Sequence, residues 1–288
     1  MEKGTVGKSL GITLQTIFLV LGQYFFFRIF RNNLYYPWIN SIEGMNPVVN
    51  EGLHYLGHVI FLAGLLLYFL WEKEDRALLK GAAFKPKKDI FMLVIGLVFG
   101  FCMNGFSILM AYLHGDIDMV KVSFEPMLLI FLFVCVFIQS STEELQSRLW
   151  GYGRIKAKAA MPYAVIGSSL AFALSHMLNT GITITAILSI FLDGVLLALL
   201  LELSGSLWAC CAYHAAWNFT QNCIFGLPNS GNAAVITMME PTYTKESFFY
   251  DPVFGVEGAW SVVALHVAAI LIMLAIYKAG KRKQQEKA

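Results

Sequence analysis

The sequence predicts an all-α fold, a polytopic membrane helix bundle of about eight transmembrane helices with its N-terminus and C-terminus cytoplasmic. Three observations carry this expectation. The 288 residues are 57% hydrophobic and only 14% charged, with a mean hydropathy of +0.62, outside the range of ordinary globular composition. The apolar residues fall in runs of about 20, the length a helix needs to cross a hydrocarbon core of roughly 30 Å. Lys and Arg collect at alternate connections, as they do where positive residues are held in the cytoplasm.

Taken in order, the spans are expected at about Leu10 to Phe30, Leu53 to Trp71, Ile90 to Leu113, Met127 to Trp150, Tyr163 to Leu178, Ile182 to Leu203, Leu207 to Phe225 and Ala259 to Tyr277. The first apolar run, from Ser9, is too long for a signal-peptide core and no small-residue cleavage pattern follows it, so it reads as a retained span. The third contains Gly96 and Gly100, a G-x-x-x-G pair. Such a pair lets another helix approach closely, or is simply tolerated in a membrane helix. The fourth runs into the charged stretch "STEELQSRLW". The fifth is the shortest.

Orientation follows from the charges. Lys3 and Lys8 precede the first span; Lys73, Arg76, Lys80, Lys85, Lys87 and Lys88 follow the second; Arg154, Lys156 and Lys158 follow the fourth; Lys278, Lys281, Arg282, Lys283 and Lys287 follow the eighth. The alternate connections, "HGDIDMVKVSFEP" and residues 226–258, are poor in basic residues. A multi-pass protein of the cell membrane is expected, with the lipid bilayer as its solvent. No repeat or linker divides the chain, which reads as one membrane domain over residues 1–288. The formal net charge of +2 gives no field that would draw nucleic acid. Cys102, Cys135, Cys210, Cys211 and Cys223 are odd in number and sit in apolar runs, so they read as small buried residues rather than a disulfide framework. Oligomeric state has no signature.

Ionisable side chains inside a span cost roughly 2.5 to 3.5 kcal/mol on insertion scales and default to function. The fourth span has three. Glu144 and Arg148 are four apart and can pair on one helix face, while Glu143 is rotated by about 100° and can point elsewhere. Alternatively all three mark the helix end, with Arg148 snorkelling to the interface. His176 closes the fifth span, and His214 and Asn218 share a face of the seventh. A carboxylate, two imidazoles and an amide are the parts needed to hydrolyse an amide bond. Glu143 can take a proton from water, His176 can share it, and His214 with Asn218 can donate to the oxyanion. The same histidines with a glutamate can instead hold a divalent metal such as zinc. No H-E-x-x-H is present. "HYLGH" puts His54 and His58 one turn apart without a glutamate between them, near the outer interface. Asp193 is a candidate supporting hydrogen-bond partner, whereas His266 and His114 read as structural or solvated. "NFT" at Asn218 matches a glycosylation acceptor but lies within a span.

Three pieces thus stand in order: "EELQSR", "FALSH" and "HAAWN". Together they resemble the type II CAAX prenyl endopeptidase and bacteriocin-processing family of intramembrane proteases, also called CPBP or ABI. The resemblance implies a catalytic core over about 127–225, a site inside the bundle opening toward cytosol or bilayer, and peptide-bond hydrolysis. By motif position Glu143 is the water-activating acid/base, His176 its partner, and His214 and Asn218 the transition-state stabilisers, with Glu144 and Arg148 in support. The family is often labelled metalloprotease, which leaves His176 and His214 as possible metal ligands beside a metal-free mechanism. The substrate would be a peptide or membrane protein. A non-catalytic scaffold that binds membrane sensor proteins is the competing reading; a transporter would call for inverted repeats, and none is visible. One geometric difficulty remains in the sequence. Counted from the loop between the fourth and fifth spans, His176 and Glu143 differ in depth by roughly 9 Å at 1.5 Å per residue. A tilted fifth helix, or a fourth continuing past Trp150, would bring them level.

Overall fold

The computed structural model describes residues 6–122, 125–233 and 236–286. Lys3, Lys287 and the pair Ser123 and Phe124 lie outside the described residues.

Eight helical stretches match the eight expected spans. They are α1 (Val6–Asn40), α2 (Pro47–Trp71), α3 (Pro86–His114), α4 (Pro126–Lys158), α5 (Met161–Ser175), α6 (Ile184–Ser204), α7 (Leu207–Phe219) and α8 (Trp260–Gln285). Among the described residues, α1, α2, α3, α4, α6 and α8 are long and apolar enough to cross a membrane. The fold is all-α apart from one small antiparallel ribbon of β1 (Ile117–Lys121) and β2 (Met239–Thr244), with a bulge between Asp118 and Met119. Helices α2, α3, α4 and α5 each begin with proline in the first two positions. Proline is pre-set for that place, where its missing N–H would have had no partner. Helix α3 ends at Gly115, whose φ of 79° reverses the chain.

The apolar surface points outward. Phe18, Leu67, Ile130 and Leu271 are 74, 62, 57 and 61% exposed, a lipid-facing belt that a water-soluble protein of this size would not carry. Inside, α7 is the axial helix. Every residue from Ala209 to Asn218 is buried, and α7 packs most extensively on α3 and then on α4. Helix α5 lies between α1 and α6, and α8 covers the other side of α6. At 15 residues α5 rises only about 22 Å. It ends at Ser175 rather than at Leu178 and stops inside the protein, with His176 still buried.

The G-x-x-x-G pair is a close-approach surface. A Cβ at Gly96 would collide with the Ala209 carbonyl and lie 2.9 Å from the Ala212 Cβ; at Gly100 it would collide with the Tyr213 carbonyl and lie 3.0 Å from the Ala216 Cβ. These are successive turns of α7 around His214, so the two glycines set how deep that histidine sits. We expect Gly96→Val and Gly100→Val each to lower thermal stability in detergent by about 1 to 3 kcal/mol, the usual cost of overpacking. Gly105→Ala, where nothing lies within 4 Å, is the control that leaves the melting temperature unchanged or slightly raised.

Candidate functional site

Three helices widen into π-helical turns beside one cavity. Helix α1 passes through a π-helical turn at Arg31–Tyr35, α4 through a longer one at Leu145–Tyr152, and α7 continues into Thr220–Ile224. Each π segment begins within three residues of a polar side chain that lines the cavity: Arg28, Glu143 and Asn218. The extra residue per turn re-aims the side chains beyond it and is common at functional positions.

Helix α4 also settles the depth problem. It does not end at Trp150 but runs to Lys158. Glu143 therefore lies fifteen residues before the end of α4, and His176 fifteen residues after the start of α5. The two come level, at about 22 Å from the connecting loop.

The cavity has a volume of about 490 Å³ and is walled by Glu143, His176, His214 and Asn218 together with residues of α1, α2 and the connection after α7. All four side chains expected from sequence thus meet in one place. Phe172 holds two of them, with its ring centroid 4.9 Å from that of His176 and 5.9 Å from that of His214. Glu143 accepts from Gln139 Nε2 at 2.6 Å, lies 3.3 Å from His58 Nδ1 and 3.9 Å from His214 Nε2. His176 donates from Nδ1 to the Phe172 carbonyl at 2.8 Å, which leaves Nε2 for the cavity. Asn218 donates from Nδ2 to Ser140 Oγ at 3.3 Å and to Gln139 Oε1 at 3.4 Å.

Glu144 and Arg148 do pair, at 3.1 Å, with side chains 0 and 1% exposed. The other oxygen of Glu144 accepts from His214 Nδ1 at 2.9 Å, so the pair orients His214 rather than Glu143. Arg148 completes its surroundings over the Phe172 ring, 4.5 Å from the centroid, and against the Gly194 carbonyl.

His54 and His58, expected near the outer interface, both line the cavity. His54 stacks on Tyr36, and His58 is the imidazole nearest to Glu143, its Nε2 accepting from Arg31 Nη1. Asp193 lies 3.6 Å from His266 and lines a small second pocket with Phe172, His214 and Asn218. His114 is exposed and pairs with Asp116 at 2.9 Å.

A further carboxylate escaped the sequence reading. Glu257, buried just before α8, accepts from Trp217 Nε1 at 2.8 Å, from Asn229 Nδ2 at 3.0 Å, and from the backbone N–H and hydroxyl of Ser230 at 2.8 and 3.0 Å. The same Asn229 amide donates to Asn218 Oδ1 at 3.2 Å, which turns the Asn218 amino group toward the cavity. Nothing local in "FGVEGAW" signals this role.

Zinc sites draw on at least three protein ligands. Among the described residues no group of three or more His, Cys, Asp or Glu side chains is arranged to hold a metal ion. His176 and His214 each have one ring nitrogen engaged, by the Phe172 carbonyl and by Glu144, and keep Nε2 for the cavity.

Residues 125–220 match the family model of type II CAAX prenyl endopeptidase Rce1-like proteins. All three motifs lie inside that stretch, which is one third of the chain and agrees with the resemblance they carried, in a protein whose long apolar helices make it a multi-pass membrane protein. No curated protein and no solved structure matches the chain.

Two measurements test this geometry. Arg148→Met strands a buried Glu144 charge and should destabilise the protein by about 3 to 5 kcal/mol, whereas the double variant Arg148→Met with Glu144→Gln should regain part of that loss. The Glu257 carboxyl is raised by burial, against its hydrogen bonds from Ser230 and Trp217, from 4.5 to about 7. A raised acid pKa makes the fold bind the proton more tightly than the unfolded chain does. Its contribution is therefore fully present below pH 4.5 and is lost as pH rises through 7. We expect the Glu257→Gln variant to lack that part of the pH dependence, on the order of 3 kcal/mol across the window, in thermal unfolding followed from pH 4.5 to 8.

Proposed function

We propose that the protein is an intramembrane endopeptidase that hydrolyses a peptide bond in a membrane-associated or hydrophobic peptide by glutamate-activated water. The observation that carries the reading is the Glu143 carboxylate at the wall of a cavity, with Gln139, His58 and His214 around it and His176 and Asn218 on the same wall.

In this reading Glu143 takes a proton from a water molecule, and the hydroxide attacks the carbonyl carbon of the scissile bond. The C=O electron pair moves onto oxygen, where Asn218 Nδ2 and His214 Nε2–H donate to it. Glu144 accepts from His214 Nδ1, so an imidazolium there leaves Nε2–H as the donor for substrate. Collapse of the tetrahedral species breaks the C–N bond, and Glu143 returns its proton to the leaving amine. His176, with Nδ1 tied to Phe172, offers Nε2 as an acceptor that orients the water. Gln139 and His58 hold the base between turnovers. No step of this reading is routed through a metal.

The test is cleavage of a hydrophobic peptide panel by purified protein in detergent, with and without a chelator. Glu143→Gln should lower kcat by about 10³-fold, within the range for a lost general base, and Asn218→Ala by about 10²-fold, as for an oxyanion donor. Equal cleavage by native protein and Glu143→Gln would remove Glu143 as the base. Loss of native activity on chelation, restored by zinc, would return the reaction to a metal.

A further inference from the structure

Contacts across the bundle sort its connections into two faces. On one face Asp75, in the connection after α2, pairs with Arg154 and lies 3.4 Å from Lys158 at the end of α4. Lys156 pairs with Glu202 near the end of α6, and Lys88 at the start of α3 donates to the Gly205 carbonyl at 2.8 Å. On the other face Arg28 reaches across from α1 to the Leu178 carbonyl and Asn179, at 3.0 Å each. Asn179 donates to the Ser230 carbonyl at 3.0 Å, and β1 after α3 pairs with β2 after α7.

These faces differ in charge. The first holds Lys73, Arg76, Lys80, Lys85, Lys87, Lys88, Arg154, Lys156 and Lys158, with Lys8 at the start of α1 and Lys278, Lys281 and Arg282 at the end of α8. Among the described residues, the connections of the second (41–46, 115–122 with 125, 176–183, 225–233 with 236–259) hold two basic residues, Lys121 and Lys245, and the last part of α1 adds Arg28 and Arg31 at the cavity. They stand against Glu43, Asp116, Asp118, Glu125, Glu240, Glu246, Asp251 and Glu257. Connections this short obey the rule that places Lys and Arg in the cytoplasm.

The cavity opens on the second face. Its rim includes the exposed residues Asn32, just after the α1 cavity residues, and Asn232, in the connection after α7. Toward the first face it is closed. Arg148, Trp150 and Tyr152, one to three turns further along α4 than Glu143, are 1, 1 and 2% exposed. In all, about 22 Å of helix separates Glu143 from Lys158.

We propose that the cavity takes its peptide from the non-cytoplasmic side of the membrane, so that the substrate is an exported peptide or the outer juxtamembrane segment of a membrane protein. This rests on the peptidase reading for the word substrate, but the direction of access rests on charge and shape alone. It differs from the opening toward cytosol or bilayer that the family resemblance implied. A cytosolic peptide would have to enter past the paired Glu144 and Arg148 and the buried Trp150. A peptide outside the cell meets a polar rim of asparagines.

The experiment separates access from chemistry. In a Cys102→Ala background, Asn232→Cys and Lys80→Cys place single exposed thiols at the cavity rim and on the basic face. Full-length protein in intact cells is treated with a membrane-impermeant maleimide and read by mass shift, before and after permeabilisation. Labelling of Asn232→Cys in intact cells and of Lys80→Cys only after permeabilisation is expected. The reverse pattern, or labelling of both in intact cells, overturns the proposal. In parallel, a fluorogenic hydrophobic peptide tethered to an impermeant dye is added to intact cells that express native protein or Glu143→Gln. Cleavage by the native protein alone is expected. Should solubilised protein cleave nothing, the peptidase reading fails while the labelling still decides access. Should solubilised protein cleave while intact cells release the dye only after permeabilisation, access from outside is overturned and the peptidase reading stands.

Discussion

The Glu144 carboxylate is the point on which the interior depends. Within a bilayer no water is at hand to satisfy a buried charge, so each charge must find its partners inside the protein. Glu144 is fully buried and has two, Arg148 on its own helix and His214 on the axial helix. Because the first is four residues along α4 and the second comes from α7, one carboxylate fixes both the rotation of α4 and the rotation of α7 about their axes. Glu143, next in sequence, is then obliged to face the cavity. The two adjacent glutamates do different work for this reason alone: one has its charge matched by protein, and the other is only partly matched, by histidines and an amide.

A close helix contact is needed before that arrangement can form. The seam of Gly96 and Gly100 against Ala209 and Tyr213 brings α7 against α3 with no side chain between them, and α4 packs on the opposite side. Small residues do this work in membranes because lipid tails compete with apolar side chains as contacts, leaving close packing as the main gain. The π segments then adjust phase. In α4 the interruption begins directly after Glu144, so the carboxylates are set by the apolar run before them and Arg148 by the wider turn after them. In α7 it begins two residues after Asn218.

How much of this could be seen in the sequence depended on distance along the chain. The helices were visible because hydropathy is a local sum, and the Glu144–Arg148 pair because four residues make one helical turn. His214 and Asn218 shared a face for the same reason. The pairing of His58 with Glu143 was not visible: it joins α2 to α4, and "HYLGH" carries only its own spacing. Depth misled as well, since the expected end of the fourth span at Trp150 ignored an amphipathic continuation through Arg154 to Lys158. Glu257 lies in the connection over residues 226–258, outside any expected span, where a carboxylate ordinarily faces water. Its four donors come from residues up to forty positions away, and no window along the chain contains them all.

The family match and the cavity do not cover the same residues. The match spans 125–220, and every group proposed to act on the peptide bond lies within it. Much of the cavity wall lies outside, with Arg28, Arg31, His54 and His58 before the match and Asn229 to Ala233 after it. Chemistry constrains the first set, because a base and its oxyanion donors must keep their distances for any peptide substrate. The second set is constrained only by what enters. Arg28 and Arg31 show the consequence: each spends its hydrogen bonds on neutral groups, a tyrosine, asparagines, a histidine and a backbone carbonyl. Two cations so satisfied leave the rim electropositive just where an otherwise acidic face surrounds it. On the peptidase reading proposed above, discrimination among peptides falls to α1, α2 and the connection after α7, the parts of the chain that the shared motifs do not reach.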